Sequence, residues 1–329
     1  MHRKTVLFFL ALLVLAIASI CIWDHFRYLR CTLADHKPFV VYTPHWFANV
    51  SECIERTNIS AIEKDLDLVK SLGFCGIKLF CIEGIEWAGP GIKEVLDVCE
   101  KKGLNVTLPF RIWRPYQFPE NATAIEEFTR FLEMVIPKVR NSTALVAYII
   151  HYPINFTDKA AYAEKWFSNE TYKNKLEEIT NQTHFLDPAH PIWMALEFEP
   201  HLNPPLDLEH VEAYGVEPYS WYTPDKYDPD KVRLFLAYFE EMNMQVFIDE
   251  YGVQTNNPEL IVGHAPSETI KAEKIRDFIL DVCDKGYVWA YFSLFDTSQA
   301  DWGLAYDNGT LKESGRTVQD LLTSMRKSP

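Results

Sequence analysis

The residues best suited to chemistry in this sequence are glutamates that follow short apolar runs. Glu250 closes the apolar run Gln245 to Asp249 and is followed by an aromatic residue and a glycine. Glu199 and Glu217 come at the ends of two earlier apolar runs. Two carboxyl groups that face one cleft can act on an acetal, because one protonates the leaving oxygen while the other attacks the carbon. These three glutamates are therefore the candidate catalytic residues.

Aromatic and polar side chains accompany the glutamates at the ends of the apolar runs. Flat aromatic faces stack on pyranose rings, and carboxylates accept hydrogen bonds from hydroxyl groups. The combination favours a saccharide as the bound molecule. The candidate substrate-binding residues are Trp46, Arg111, Trp113, His151, Tyr152, Tyr219, Trp221, Asp296 and Trp302.

Other classes of site are not indicated by the residue pattern. A metal-dependent hydrolase barrel would carry a His-x-His pair on its first strand, whereas His45 is preceded by Thr43 and Pro44. The sequence has no glycine-rich phosphate loop of the nucleotide-binding kinds. A formal net charge of −14 argues against a nucleic acid partner, whose phosphates would be repelled. We therefore predict neither a metal nor a cofactor.

Eight apolar runs that alternate with helical or loop segments must position these residues. The predicted strands are Phe39–Tyr42, Gly76–Cys81, Asn105–Phe110, Leu145–Ile150, Ile192–Phe198, His210–Val216, Gln245–Asp249 and Val288–Leu294. Between them lie amphipathic stripes such as Ile62, Leu66, Val69 and Leu72, which is followed by Gly73. The pattern predicts an α/β fold, a single (β/α)8 barrel over residues 38–325. In such a barrel the carboxyl ends of the strands carry the site.

Three sequence blocks, at the ends of the sixth, seventh and eighth predicted strands, carry a family resemblance when they are taken together. They are Tyr214-Gly-Val-Glu-Pro-Tyr-Ser-Trp221, Val246-Phe-Ile-Asp-Glu-Tyr-Gly252 and Tyr291-Phe-Ser-Leu-Phe-Asp296, the last followed by Trp302-Gly-Leu and Asp307-Asn-Gly-Thr-Leu-Lys312. With the order of strands and helices, these blocks resemble the clan-A glycoside hydrolases, a large group of retaining (β/α)8 glycosidases. The likeness spans roughly residues 38 to 325.

The resemblance implies roles for several residues and shows one departure. It implies that Glu250 is the nucleophile, that Tyr219 holds this carboxylate by a hydrogen bond, and that a nearby arginine keeps it ionised, a role for which Arg111 is the candidate. The clan carries its general acid and base on the fourth strand, as the glutamate of an Asn-Glu pair. This chain has His151-Tyr152-Pro153 there, so the usual acid is replaced.

Two other glutamates could supply the missing proton. Glu199 lies at the end of the fifth predicted strand, and Glu217 lies on the strand next to that of Glu250. Repulsion between Glu217 and Glu250 would favour a proton on one of them, and binding of a ligand hydroxyl is the alternative role for Glu217. Three hypotheses follow: a glycosidase whose acid is displaced or replaced, a carbohydrate-binding pseudoglycosidase without hydrolysis, and a surface protein whose cleft is vestigial.

The N-terminus has the composition of a membrane anchor. Residues 1–4, which include Arg3 and Lys4, form a predicted cytoplasmic segment before an uncharged apolar run over residues 5–23. At about 1.5 Å per residue this run just crosses a hydrocarbon core of roughly 30 Å. Arg3 and Lys4 predict a barrel on the outer side of the membrane, joined through a linker over residues 24–37. A cleaved signal peptide is the alternative, because Ala16-Ile-Ala18 resembles a cleavage site. The predicted location is the cell membrane with the barrel outside, or secretion after cleavage.

Acceptor triplets for N-glycosylation support export independently. Nine Asn-x-Ser/Thr triplets occur, at Asn49, Asn58, Asn105, Asn121, Asn141, Asn155, Asn169, Asn181 and Asn308. Of the seven cysteines, the six outside the apolar segment permit disulfides, and buried free thiols are an equal alternative.

Overall fold

A closed barrel of eight parallel strands forms the centre of the protein. The computed structural model describes residues 38–42, 59–79, 91–111, 122–151, 170–196, 208–217, 233, 236–237, 239–241, 243–256, 265–296 and 300–327. The strands are β1 (Pro38–Tyr42), β2 (Gly76–Leu79), β3 (Asn105–Arg111), β4 (Leu145–His151), β5 (Ile192–Leu196), β6 (Val211–Val216), β7 (Gln245–Tyr251) and β8 (Val288–Tyr291). Each strand pairs with the next in chain order and β8 pairs with β1. The predicted eight-stranded parallel barrel is confirmed.

Six helices are described around this barrel. They are α1 (Ile59–Leu72), α2 (Gly91–Lys102), α3 (Ala122–Val139), α4 (Glu170–Leu186), α5 (Glu268–Lys285) and α6 (Glu313–Lys327). Helix α1 buries Ile62, Leu66, Val69 and Leu72, the stripe that its periodicity predicts. Gly73 follows with a φ of 93°, a left-handed conformation that glycine adopts at low cost and that ends the helix.

The predicted N-terminal segments, residues 1–4, 5–23 and 24–37, lie outside the described residues. Among the helices that are described, none combines the length and the apolar character needed to span a bilayer. The anchor, the signal peptide and the location of the barrel stay predictions.

Side chains along each strand alternate between the barrel interior and the layer under the helices. Phe39 and Val41 of β1 belong to the interior cluster, whereas Val40 belongs to the cluster that packs against helices. The interior is filled tightly around Phe247 of β7, since a Cβ on Gly215 of the neighbouring strand would overlap the Phe247 ring. Glycine at position 215 is thus a packing requirement of the barrel.

A β-bulge interrupts this alternation on β7. Ile248 pairs with Trp289 and Tyr251 pairs with Tyr291, so three steps along β7 match two steps along β8. The one extra residue allows Asp249 and Glu250 both to contact the same interior cation, although they are consecutive. Ile248 and Tyr251 on either side of the bulge both pack in the helix-facing cluster.

At the end of α4 a buried carboxylate organises the turn into β5. Asp187 accepts hydrogen bonds from the Tyr148 hydroxyl (2.8 Å) and the Ala189 amide (3.0 Å), and its oxygen lies 2.7 Å from Nδ1 of His190. Burial alone would raise the pKa of Asp187, but His190 and the hydrogen bonds outweigh it and hold the pKa below its ordinary value. This network joins β4 to the α4–β5 turn.

Candidate active site

A buried lysine is the centre of the candidate site. Lys78 of β2 is 1% exposed, and its Nζ donates to Oδ2 of Asp249 and to Oε1 of Glu250, both at 2.6 Å. An ammonium group is costly to remove from water and is tolerated in a barrel interior when carboxylates compensate it. The β7 bulge supplies two such carboxylates in place of one. The positive charge of Lys78 in turn stabilises the negative charge on both partners.

A histidine and a third carboxyl group complete the cluster. His151, the last residue of β4, places Nε2 3.3 Å from Oδ2 of Asp249 and Nδ1 3.6 Å from Oε1 of Glu217, which follows β6. The side chains of Glu217 and Glu250 are 9% and 7% exposed, whereas those of Lys78, Asp249 and His151 are at most 1% exposed. The two glutamates are therefore the members of the cluster that retain contact with solvent, above a fully buried Lys78, Asp249 and His151.

Asp249 is fully buried beside ionisable neighbours that act on its pKa. Burial is the main cause that raises the pKa of Asp249, with Glu250 adding to it, while Lys78 and the neighbouring Glu217 act in the opposite direction. The net result is a pKa of Asp249 above its ordinary value. Three carboxyl groups lie together beside the single ammonium group of Lys78, so repulsion among them favours a proton on one of them.

The cluster also raises the question of a metal ion. One ligand atom from each of His151, Glu217, Asp249 and Glu250 lies within 4.8 Å of the others, and these are donor types that divalent metals accept. The Lys78 ammonium, however, already lies 2.6 Å from two of the four residues and would repel a divalent cation there. The residues fit a cluster neutralised by lysine better than a metal centre, and the absence of a metal stays a prediction.

Three of the predicted site residues come together in this cluster. Glu250, Glu217 and His151 are drawn from β7, the end of β6 and β4, at the carboxyl end of the barrel as predicted for a (β/α)8 site. Seven other predicted contributors lie outside the described residues, Arg111 only by its side chain: Trp46, Arg111, Trp113, Tyr152, Glu199, Tyr219 and Trp221. Their roles stay predictions, including the roles of Arg111 and Tyr219 beside the nucleophile.

The remaining two candidates make intramolecular contacts beyond β8. Asp296 accepts two hydrogen bonds from Nζ of Lys312, at 2.6 and 2.9 Å, and one from the Gly303 amide at 2.9 Å. Trp302 is 7% exposed and meets the Phe292 ring edge to face, with 5.7 Å between the ring centroids. Both side chains therefore shape the segment that follows β8, and direct contact of either with a saccharide stays a prediction.

The sequence arguments missed Lys78 and Asp249. A signal existed for Lys78, because a lysine in the middle of the apolar run Gly76 to Leu79 has to find a buried partner. Asp249 was visible as the last residue of a predicted strand, but strict alternation allows only one of two consecutive residues to face the interior. The resemblance suggested an arginine as the cation beside Glu250, and the structure places Lys78 in that contact.

Solved structures of glycoside hydrolases share this fold. A β-glucuronidase of an uncultured Clostridium species aligns with 89% of this chain and 50% of its own, at a TM-score of 0.67 and 14% identity. A β-D-glucuronidase of Dictyoglomus thermophilum aligns with 83% of this chain and 48% of its own (TM-score 0.63, 15% identity). A hyperthermophilic endocellulase of the archaeon Pyrococcus horikoshii aligns over 88% of this chain and 92% of its own (TM-score 0.62, 15% identity).

These likenesses establish the fold and no more, because every identity is low. This chain spans about half the length of the two glucuronidases. No protein family matches the sequence, and no curated protein is significantly similar to it. The protein is therefore glycosidase-like in its fold.

Proposed function

We propose that this protein is a retaining glycoside hydrolase that acts on a saccharide outside the cytoplasm, with Glu250 as nucleophile and Glu217 as general acid and base. The observation that carries the proposal is the position of these two carboxyl groups. Oxygens of Glu217 and Glu250 lie within 4.8 Å of each other at the carboxyl end of a barrel, and both side chains retain some exposure. Carboxyl groups about 5–5.5 Å apart are typical of retention, and about 6.5–9.5 Å is typical of inversion.

The surrounding charges suit the two roles. Lys78 lies 2.6 Å from Glu250 and stabilises the carboxylate that a nucleophile requires. Glu217 lies close to Glu250 and Asp249, whose negative charges favour a proton on Glu217, and Nδ1 of His151 lies 3.6 Å from its carboxyl oxygen. The proton that the clan takes from a fourth-strand glutamate would thus come from the sixth strand, with the fourth strand contributing His151 as a neighbour.

The reaction follows from these positions. The Glu250 carboxylate attacks the anomeric carbon while the glycosidic bond breaks and the leaving oxygen takes the proton of Glu217, which gives a glycosyl ester on Glu250. A water molecule then gives a proton to the Glu217 carboxylate and attacks the same carbon. The ester bond breaks, and the sugar leaves with the configuration that it had in the substrate.

Trapping of the intermediate tests the nucleophile. The full chain is incubated with a panel of activated 2-deoxy-2-fluoro glycosides that includes uronides, since solved proteins of this fold are described with galacturonate and with a coumarin glucuronide. Peptide mass mapping is expected to find the sugar on Glu250 and to lose it in Glu250→Gln. Absence of any adduct, together with absence of turnover on aryl glycosides, would refute the assignment.

The acid is tested by comparison of leaving groups. Glu217→Gln is expected to lose roughly 10²–10⁴-fold in turnover of substrates with poor leaving groups, and far less with dinitrophenyl glycosides, which need no proton. Azide should rescue the second step and give a glycosyl azide of retained configuration. Glu212→Gln, an exposed glutamate earlier on β6, is the matched control and should behave like wild type. Equal losses for both kinds of leaving group would remove Glu217 from the role of acid.

The alternative, a carbohydrate-binding pseudoglycosidase, is favoured by one observation. The strand that carries the acid in the resembled clan ends here in His151, which is 1% exposed and faces Asp249 and Glu217. Saturable binding of a saccharide without turnover, lost on replacement of Trp221 by alanine, would select this alternative.

A further inference from the structure

An open groove lies at the end of the barrel opposite the candidate active site. It runs along α4 from Asn174 to Phe185 and has a volume of about 710 Å³, and His210, just before β6, also lines it. The rings of His184 and His210 stack with 4.0 Å between their centroids. Phe185 lines the same groove and is 79% exposed, the most exposed of the large hydrophobic side chains that the structure describes.

Asn181 lies one helical turn before Phe185 and lines the groove with it. Residues four apart on a helix are neighbours on its surface, so the Asn181 amide and the Phe185 ring lie side by side. Asn181 is exposed and begins the triplet Asn181-Gln182-Thr183, an acceptor for N-glycosylation. An aromatic face can pack against the C–H face of a pyranose and remove its own apolar surface from water.

We propose that Asn181 carries an N-linked glycan whose first sugar packs on Phe185 in this groove. The linkage forms when Nδ2 of Asn181 bonds to the anomeric carbon of an oligosaccharide activated as a glycosyl pyrophosphate. Nδ2 loses one proton in this step, and the pyrophosphate leaves with its electron pair. The inference rests on the exported location proposed above and is independent of the reaction proposed for Glu250.

The burial of Thr183 in the folded helix α4 determines when Asn181 can be modified. Thr183 is fully buried, and its hydroxyl donates to the carbonyl oxygen of Ile179 at 2.8 Å. The hydroxyl of the acceptor triplet is therefore out of reach of a transferase once α4 has packed. The glycan is added to the chain before α4 folds, and the helix then presents it beside Phe185.

Site occupancy is measured on the full chain expressed in cultured animal cells and purified from the membrane fraction or from the medium. Release of glycans by peptide N-glycosidase in heavy-oxygen water converts each occupied asparagine to a labelled aspartate, which peptide mass mapping locates. Asn181 is expected to be labelled in the chain made in cells, and folded chain from bacteria is expected to stay unmodified when a transferase and donor are added. An unlabelled Asn181 overturns the proposal, whether or not the exposed triplet at Asn141 is labelled.

Packing on Phe185 is measured by a double-mutant cycle on the glycosylated protein. Asn181→Gln is expected to lower Tm by on the order of 2 °C, and this loss should vanish in the Phe185→Ser background. Asn141→Gln is the matched control, because Asn141 has no aromatic residue within four positions in the sequence, and its effect should not depend on Phe185. The same loss from Asn181→Gln in both backgrounds would overturn the packing contact.

The two proposals fail separately. Labelling of Asn181 without an adduct at Glu250 would support the glycan proposal and refute the hydrolase proposal. A chain with an adduct at Glu250 but unlabelled Asn181 does the reverse.

Discussion

Replacement of Lys78 by methionine tests the charge balance of the candidate site. At an effective dielectric constant of about 20, each 2.6 Å contact between Lys78 and a carboxylate corresponds to roughly 6 kcal/mol of attraction. Desolvation of the buried ammonium offsets several kcal/mol of this. Methionine keeps most of the volume but leaves Asp249 and Glu250 buried without their cation. We expect Lys78→Met to lower the free energy of unfolding by about 3–5 kcal/mol at pH 7.

The pH dependence of this loss identifies its cause. Lys78 opposes the burial that raises the pKa of Asp249, so the pKa of Asp249 rises further in the variant. Between the unfolded value, about 3.9, and this raised value, the folded variant binds a proton that the unfolded chain does not. The stability of the variant relative to wild type therefore recovers as the pH falls from 7 to 5 and worsens as it rises.

Urea unfolding followed by tryptophan fluorescence measures the loss at both pH values. Lys93→Met is the matched control, because Lys93 pairs with Asp97 on the exposed face of α2 and its replacement should change stability little. A loss below about 1 kcal/mol at pH 7, or one that is the same at pH 5, would refute the assignment of Lys78 as the counter-charge of buried carboxylates.

Three further changes test the scaffold. Gly215→Val should place methyl groups against Phe247 and lower the free energy of unfolding by at least about 1–3 kcal/mol in urea, whereas Gly103→Ala, at a turn with open space, gives only the local cost of a positive φ. Asp187→Asn should lower the free energy of unfolding by about 1–3 kcal/mol at pH 7. Because the pKa of Asp187 is lowered in the folded protein, its contribution to stability is present above the pKa of the unfolded chain and is lost as the pH falls through the pKa of the folded protein. The variant should therefore lose less stability than wild type when the pH is lowered through this range. Burial raises the pKa of the Cys99 thiol, so mass spectrometry should show that iodoacetamide labels Cys99 only after unfolding, and rapid labelling of the native protein would contradict its placement in the core.

The fold could be predicted because its determinants are local. Each strand is a continuous apolar run, and the helix stripes recur at the helical period, as in α1 with its end at Gly73. Parallel pairing in chain order then leaves few topologies for eight such strands. The described strands begin within one residue of the predicted ones, with differences mostly at the carboxyl ends.

The site could be predicted only in part because its determinants are not local. The resemblance pointed to Glu250, and strand order placed Glu217 beside it. Lys78 meets its carboxylates 171 and 172 residues later in the chain, and no periodicity encodes such a pairing. Asp249 joins Glu250 in the interior because of a bulge, and a bulge arises from the way β7 and β8 pair together.

The long sequence separation between Lys78 and its carboxylates also means that they are synthesised at different times. Synthesis at about 5–20 residues per second leaves Lys78 on the growing chain for roughly 10–30 s before Asp249 and Glu250 are made. Throughout that interval the segment of β2 carries an ammonium group without these two carboxylates, and burial of an ammonium group without a partner is costly. The contact then links β2 to β7, the two strands that flank the paired strands β8 and β1. Lys78 therefore stabilises the side of the barrel that contains the last strands to be synthesised. The candidate site therefore cannot form until β7 has been added to the strands that precede it.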